Sequence, residues 1–306
     1  MLLAAIILQN LVIAAMIVGL CLIRPSSPRD FAWIVSGCAL LLVGLMLGGV
    51  WVFPPRWGAV AYTILFLLAV RRSWRRTARP GRSGSLVGLL VSVVLAAGGL
   101  ALTWQGLAGR MRPSDNPVAL VAPLTPANGF CVLSGGASIA LNLHYVESGS
   151  TAASFEKHSV DFIRKSRWGF RTTDRFALHP KPAELDAYAV FNAPVRAPCS
   201  GEVIEAVDDR PDQPPGHRYR SRAGANLVTL QCGQHEILMA HFRPGTVAVE
   251  AGDRVIAGTY LGDVGNSGNT EEPHLHIHAQ QRLTDGTLHP VPMLFDGRYL
   301  SRGDCL

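Results

Sequence analysis

The sequence predicts an α-helical membrane domain of three or four transmembrane helices over residues 1–107, followed by a mainly antiparallel β domain over residues 129–306. A segment at 108–128, rich in proline, is predicted to be the linker between them. The first part consists of apolar runs near the length of about 20 residues that a membrane-spanning helix needs. From residue 129 the chain changes to short β-type runs broken by Gly, Pro and Asp.

The membrane helices are predicted in chain order. Met1–Ile23 is a long apolar run, and Phe31–Phe53 is a second span that ends before two consecutive prolines. Gly58–Val70 is shorter and crosses only if the flanking arginines extend to the interface. Ser85–Trp104 is the last span. No intramembrane Lys or Glu offers a transport function, so these helices are interpreted as an anchor.

Charge is distributed unevenly and predicts the orientation. Residues 1–107 contain nine Arg against a single acid, Asp30, whereas the rest of the chain holds 19 basic and 21 acidic residues. The net charge of +6 therefore belongs to the membrane flanks, and no nucleic-acid partner is expected. Six Arg lie in the segment 71–84, which places it in the cytoplasm by the positive-inside rule. Everything after the last span is then extracytoplasmic (periplasmic), in a multi-pass protein of the cytoplasmic (inner) membrane.

The β domain is predicted to have a two-layer β-sheet core. Ala137–Tyr145 alternates in polarity and is expected to pair as a hairpin with His158–Ile163. Further strands are predicted over residues 201–207, 226–231, 236–242 and 253–262.

Four of the six cysteines lie outside the membrane part: Cys131, Cys199, Cys232 and Cys305. An even number in an oxidising compartment is consistent with two disulfides in any of three connectivities. We expect Cys199–Cys232 and Cys131–Cys305, with four reduced cysteines as the alternative.

Three histidines alternate in the stretch Pro273–His278, and all ten histidines of the chain lie in the second part. In a strand, His274, His276 and His278 would point to the same face. Imidazole is the commonest metal ligand, and a catalytic zinc site uses three protein ligands and leaves one position open. Asp161, at the end of a β-type run, is the best carboxylate candidate, whereas His241 in an apolar strand needs a partner.

An ordered series of motifs resembles the lysostaphin/LytM-type zinc metallopeptidases, which are β-sheet endopeptidases of peptidoglycan. The motifs extend roughly over residues 130–290 and leave the membrane part uncovered. They are Ala193–Val203, Leu238–Gly245, Val249–Gly258, Gly262–Gly268 and Pro273–His276.

The resemblance implies that His276 and Asp161 bind Zn²⁺, while His274 and His241 face the substrate carbonyl and the attacking water. The family usually places its first His ligand four residues before the Asp, where this chain has Lys157. Two replacements stay open. His158 would point away from Asp161 in a regular strand unless a bulge intervened, whereas His144 could face Asp161 across the predicted hairpin and is preferred.

The residues flanking these positions are expected to have lesser roles. His278 is expected to line the cleft or to be structural, and Glu271 and Glu272 are expected at a solvated loop edge. The function that follows is a membrane-anchored, extracytoplasmic zinc endopeptidase whose partner is the peptide of peptidoglycan. The alternative is an inactive LytM-like domain that binds wall peptides or activates another hydrolase.

Overall fold

The chain, in a computed structural model, divides into two compact units, Met1–Ala108 and Gly109–Leu306. The residues that the structure describes are 2–77, 85–113, 115–125, 129–147, 154–217 and 224–306. Part of the arginine-rich segment used to predict the orientation, with Arg79 and Arg82, lies outside the described residues.

The first unit consists of four long helices: α1 (Leu2–Leu22), α2 (Pro28–Gly48), α3 (Trp57–Trp74) and α4 (Leu86–Ala108). Three of them, α1, α2 and α4, are long and apolar enough to cross a membrane by length and composition. Helix α3 carries Arg71 and Arg72 in its last turn. The prediction of three to four apolar helices is confirmed, and these helices fit a membrane anchor.

Helix α2 has a capping residue at its start and packs closely against α4 along its length. Ser27 caps it by accepting a hydrogen bond from the backbone N–H of Asp30 at 3.2 Å. A Cβ atom at Gly99 of α4 would lie 2.3 Å from the backbone carbonyl carbon of Leu40 on α2. Glycine is therefore required at Gly99, because the two helix backbones are in contact there.

In its described residues, the second unit contains twelve strands and one short α-helix, besides short 3₁₀ turns. The strands are β1 (Val118–Leu120), β2 (Phe130–Ser134), β3 (Val160–Arg164), β4 (Pro194–Arg196), β5 (Gly201–Val207), β6 (Leu227–Cys232), β7 (His235–Ala240), β8 (Arg254–Val255), β9 (Tyr260–Asp263), β10 (Leu275–Arg282), β11 (Leu288–Val291) and β12 (Met293–Phe295); the helix is α5 (Leu143–Glu147).

An eight-stranded sheet is the centre of this unit. Its order is β2-β3-β10-β7-β6-β5-β8, with β11 also paired to β10, and its pairs are antiparallel. Strands β4 and β9 form a separate antiparallel pair, and β1 pairs in parallel with β12. The predicted mainly antiparallel β domain is confirmed. The segment predicted as a linker, 108–128, contributes β1 to this unit.

Strand β10 shows how sequence alternation becomes two faces. Leu275, Ile277 and Ala279 belong to the apolar core of the unit. His276 and His278 alternate with them, so their side chains project from the opposite face of the sheet. One face of β10 is thus fixed by burial in the core, and this holds the histidine face in register.

The predicted hairpin between Ala137–Tyr145 and His158–Ile163 is wrong. The first segment forms a turn that runs into α5, and β3 pairs instead with β2 and β10. The physical reason is Asn142, whose side chain bonds to nearby backbone groups and so competes with strand pairing.

Both expected disulfides are present. Cys131 on β2 is bonded to Cys305 near the C-terminal end, and Cys199 before β5 is bonded to Cys232 at the end of β6. The predicted connectivity is therefore confirmed. The links close loops across the β unit, which restricts the unfolded chain.

Candidate metal centre

The candidate site begins with two residues on neighbouring strands. His276 on β10 is directly opposite Asp161 on β3 in the antiparallel register. Residues opposite each other across a strand pair point to the same face, so the two side chains meet. His276 Nδ1 lies 3.0 Å from Asp161 Oδ1, and both side chains are buried.

His144 joins this pair from helix α5 rather than from a strand. Its Nε2 lies 3.2 Å from both carboxylate oxygens of Asp161. Asn142, which is fully buried, fixes the backbone there because its Oδ1 accepts a hydrogen bond from the N–H of His144 at 3.0 Å. Its Nδ2 group donates to the carbonyl oxygens of Lys157 and Ser159, immediately before β3. Asn142 thus holds the start of α5 against the start of β3.

His158, the other candidate for the first ligand, does not reach Asp161. Its ring lies beside Tyr145, with 6.1 Å between the ring centroids, and its Nδ1 has no hydrogen-bond partner among the described residues. Burial and then Lys157 lower the pKa of His158 to about 4. A separation of three residues places it on the other side of the chain from Asp161, since side chains alternate with a period of two.

His241 and His274 lie next to each other beside the cluster, with ring centroids 4.7 Å apart. His241 follows β7 with a positive φ of 73°, and its Nδ1 lies 2.7 Å from the carbonyl oxygen of Ser267. His274 Nδ1 lies 2.8 Å from the carbonyl oxygen of Glu272. A carbonyl only accepts, so both histidines carry a proton on Nδ1 and keep the lone pair of Nε2. His274 Nε2 lies 3.7 Å from Asp161 Oδ1.

Charges in the cluster are strongly coupled. Burial opposes the ionisation of Asp161, but His144 and His274 hold the pKa of this carboxyl well below its usual range. Burial also opposes protonation of His144, whereas Asp161 and then Glu156 raise its pKa to about 10. The pKa of His241 is lowered by burial and by the neighbouring His274 and His276. The cluster therefore combines an ionised Asp161, a protonated His144 and a neutral His241.

The donor atoms of His144, Asp161 and His276 suit a zinc ion. One ligand atom from each lies within 4.8 Å of the other two. Two imidazole nitrogens and one carboxylate oxygen are a common donor set for catalytic zinc, with bonds of about 2.0–2.2 Å. Tetrahedral bonds of this length space the ligand atoms roughly 3.4 Å apart. The contacts of Asp161 with His276 and His144, at 3.0 and 3.2 Å, are close to that spacing. The residues present therefore fit the metal that the resemblance implies.

Glu272 differs from the expectation of a solvated loop edge. Its side chain is buried and forms an ion pair of 2.8 Å with the buried Arg171. Its backbone carbonyl is the acceptor for His274 Nδ1. Glu272 thus helps to hold His274 in place, a function for which the local sequence gives no signal because Arg171 is about one hundred residues away in the chain.

Residues 184–288 match the model of peptidase family M23. The chain contains a peptidase family M23 domain of the LytM/lysostaphin type. The matched segment includes His241, His274 and His276, whereas His144 and Asp161 precede it. The comparison with curated proteins finds no match.

Several solved structures resemble part of the chain. Lysostaphin from Staphylococcus simulans is 22% identical over 43% of this chain and 40% of its own, with a TM-score of 0.27. A putative peptidase M23 from Pseudomonas aeruginosa is 26% identical over 30% and 35%, with a TM-score of 0.23. A zinc-containing peptidase from Vibrio cholerae is 17% identical over 48% and 30%, with a TM-score of 0.25. The chain thus spans about two fifths of the length of lysostaphin and about a third of the length of the other two proteins.

Proposed function

We propose that this protein is a membrane-anchored zinc metalloendopeptidase that hydrolyses peptide bonds of peptidoglycan on the outer side of the cytoplasmic membrane. The observation that carries the proposal is the convergence of His144, Asp161 and His276 beside two histidines, His241 and His274, whose Nδ1 atoms lie within hydrogen-bond distance of backbone carbonyl oxygens. In the proposed division of the chain, 1–107 is the anchor, 108–128 the connection and 129–306 the peptidase domain.

His144, Asp161 and His276 would hold the zinc ion. When bound, the ion supplies Lewis acidity, which lowers the pKa of water and polarises a carbonyl group. Asp161 is the residue on which the set depends, because it lies within 3.2 Å of both histidine ligands. The surrounding imidazoles keep Asp161 ionised, and an ionised carboxylate is the form that binds a metal cation.

His241 and His274 would perform the proton transfers. Each is oriented by a backbone carbonyl at Nδ1, so Nε2 is the atom available to the reaction. One of them accepts the proton of the attacking water, and the other stabilises the oxyanion of the tetrahedral intermediate. The protonated histidine then donates to the leaving amine, which completes the transfer.

The substrate and the location follow from the family and from the anchor. Peptidase family M23 acts on peptidoglycan, which lies outside the cytoplasmic membrane. Helices α1, α2 and α4 provide the membrane attachment. Arg71 and Arg72 at the end of α3 support a cytoplasmic location for the segment after it, and so an extracytoplasmic peptidase domain.

The test is the zinc content of the full chain in detergent, measured together with the digestion of purified peptidoglycan. We expect one zinc per chain, lost in Asp161→Ala and in His144→Ala but retained in His158→Ala. His274→Ala should keep its zinc and lose activity by roughly 10²–10⁴-fold. Stoichiometric zinc in Asp161→Ala would refute the ligand assignment. A zinc-free wild-type protein that still bound wall peptides would favour the inactive binding module.

A further inference from the structure

The two proposed histidine ligands, His144 and His276, each have a second ring nitrogen, and each of these nitrogens lies near a further polar residue. His276 Nε2 lies 3.0 Å from His278 Nδ1. His144 Nδ1 lies 3.7 Å from Glu156 Oε2. Neither Glu156 nor His278 belongs to the ligand set or to the proton-transfer pair, so the proposed mechanism does not use them.

The contact between His276 and His278 determines where protons lie. If His276 binds a metal through Nδ1, its proton is on Nε2 and is donated to His278 Nδ1. His278 must then carry its own proton on Nε2. It is fully buried, and the ring of Phe155 packs against it with 5.6 Å between the ring centroids. His278 is therefore held in place by packing as well as by the hydrogen bond.

Glu156 lies at the end of a short 3₁₀ turn over Ser154–Glu156. The turn is tied to the start of β3, because the carbonyl oxygen of Glu156 accepts hydrogen bonds from the N–H and the hydroxyl of Ser159 at 2.9 and 2.6 Å. His144 Nδ1 is buried without a hydrogen-bond partner among the described residues. The carboxylate of Glu156 is the acceptor that a small rotation of this ring would bring within reach.

We propose that Glu156 and His278 are positioning residues that fix the proton positions and the orientation of the metal ligands His144 and His276. This proposal rests on the proposed zinc site and adds two residues that hold two of its ligands in place. Acceptors behind histidine ligands typically change metal affinity by about 10- to 100-fold. Both residues act on the same side of the cluster, and each restrains a different ligand.

The same atoms raise a competing assignment. Glu156, His276 and His278 each offer a ligand atom within 4.8 Å of the other two and could hold a second cation, bound to His276 through Nε2. With the first metal present, this would require His276 to lose both ring protons. A hydrogen bond of 3.0 Å between the two rings accounts for their spacing without that step. Metal stoichiometry separates the two assignments.

The experiment measures the zinc affinity of the full chain in detergent by competition with a chelator of known affinity. His278→Phe keeps an aromatic ring against Phe155 but removes the acceptor, and Glu156→Leu removes the carboxylate. We expect one zinc per chain, bound about 10- to 100-fold more weakly, in both. His278→Asn and Glu156→Gln retain an acceptor oxygen and should recover most of the affinity. His235→Phe, at the start of β7, is the matched control and should bind as the wild type does.

Three outcomes overturn the inference. The first is an unchanged zinc affinity in His278→Phe and Glu156→Leu while the wild type binds one zinc, which leaves the proposed function intact. The second is a failure of the acceptor-retaining variants to recover affinity although their metal-free melting temperatures match the wild type. The third is two zinc ions per wild-type chain, one of which is lost in both variants. A wild-type chain without zinc refutes the proposed function itself.

Discussion

The helical unit and the β unit both bury polar side chains, but they use them differently. In the helical unit these groups pair with the backbone. Gln9 on α1 accepts a hydrogen bond from the N–H of Val50 at 2.7 Å, and Asn10 donates to the carbonyl oxygen of Phe53 at 3.2 Å. These contacts satisfy polar groups in an apolar helix cluster, and no set of metal-ligand atoms converges among the described residues of this unit.

In the β unit one group of buried polar side chains, the one around Asp161, consists of residues that face one another instead. Asp161 is within 3.7 Å of three imidazoles, those of His144, His274 and His276. Such a concentration of titratable groups costs stability unless protons or a metal compensate it. The difference teaches that buried polar side chains of the first unit stabilise its backbone, whereas the second unit in addition gathers titratable side chains around Asp161. Substitutions in the two units should therefore affect different measurements.

The largest effect on stability and on zinc affinity is expected at Asn142, which bonds both to the chain before β3 and to the backbone of His144. Asn142→Ala leaves several buried backbone groups without partners, which should reduce the free energy of unfolding of the β unit by about 3 kcal/mol. Because the N–H of His144 loses its acceptor, zinc affinity should fall by roughly tenfold or more. Thermal unfolding and chelator competition measure the two effects. Gln231→Ala removes an amide at the β6–β7 turn and should change neither.

A smaller effect, limited to acidic conditions, is expected at His158. Its pKa of about 4 lies below that of an unfolded histidine. The unfolded chain therefore binds a proton as the pH falls through about 6.5, whereas the folded chain does not until about 4. Stability is lost within this window, by about 2 kcal/mol at pH 5.

The measurement is the unfolding of the metal-free protein at pH 7.5 and pH 5, compared with His158→Phe. The wild type should lose more stability than the variant between these pH values, and zinc binding at neutral pH should be equal in both. Equal losses at pH 5 would show that His158 is protonated in the folded protein.

The smallest effect is expected at Gln9. Gln9→Leu removes the acceptor for the N–H of Val50 and should destabilise the helical unit by about 1 kcal/mol. Zinc content and activity should stay at the wild-type level, because Gln9 belongs to the helical unit and the candidate metal ligands belong to the β unit. Loss of zinc in this variant would contradict the prediction that buried polar side chains of the helical unit do not affect the metal site. The melting temperature in detergent and the zinc content are the two measurements.

Much of the molecule could be predicted from local pattern. Apolar runs near membrane length predict the anchor helices, and the alternation in Pro273–His278 predicts a strand with its histidines on one face. Both rest on the fixed periods of helix and strand, which need no knowledge of distant residues. Asp161 could be chosen for the same reason, since it lies in a run of β-type residues.

The position of His144 depends on contacts that no local pattern contains. The sequence interpretation preferred His144 for the wrong structural reason, a hairpin, whereas it reaches Asp161 from α5 because Asn142 joins the start of that helix to the chain before β3. Glu156 and His278 come together in the same way, through a 3₁₀ turn beside β10.

The sequence by itself therefore determined the two-part organisation, the family and the faces of the strands, because each depends on neighbours in the chain. Only the tertiary structure decided which histidine accompanies Asp161 and His276. The pairing of β3 with β10 brings together Asp161 and His276, which are 115 positions apart, and the bonds of Asn142 add His144. Local periodicity carries no information about either contact.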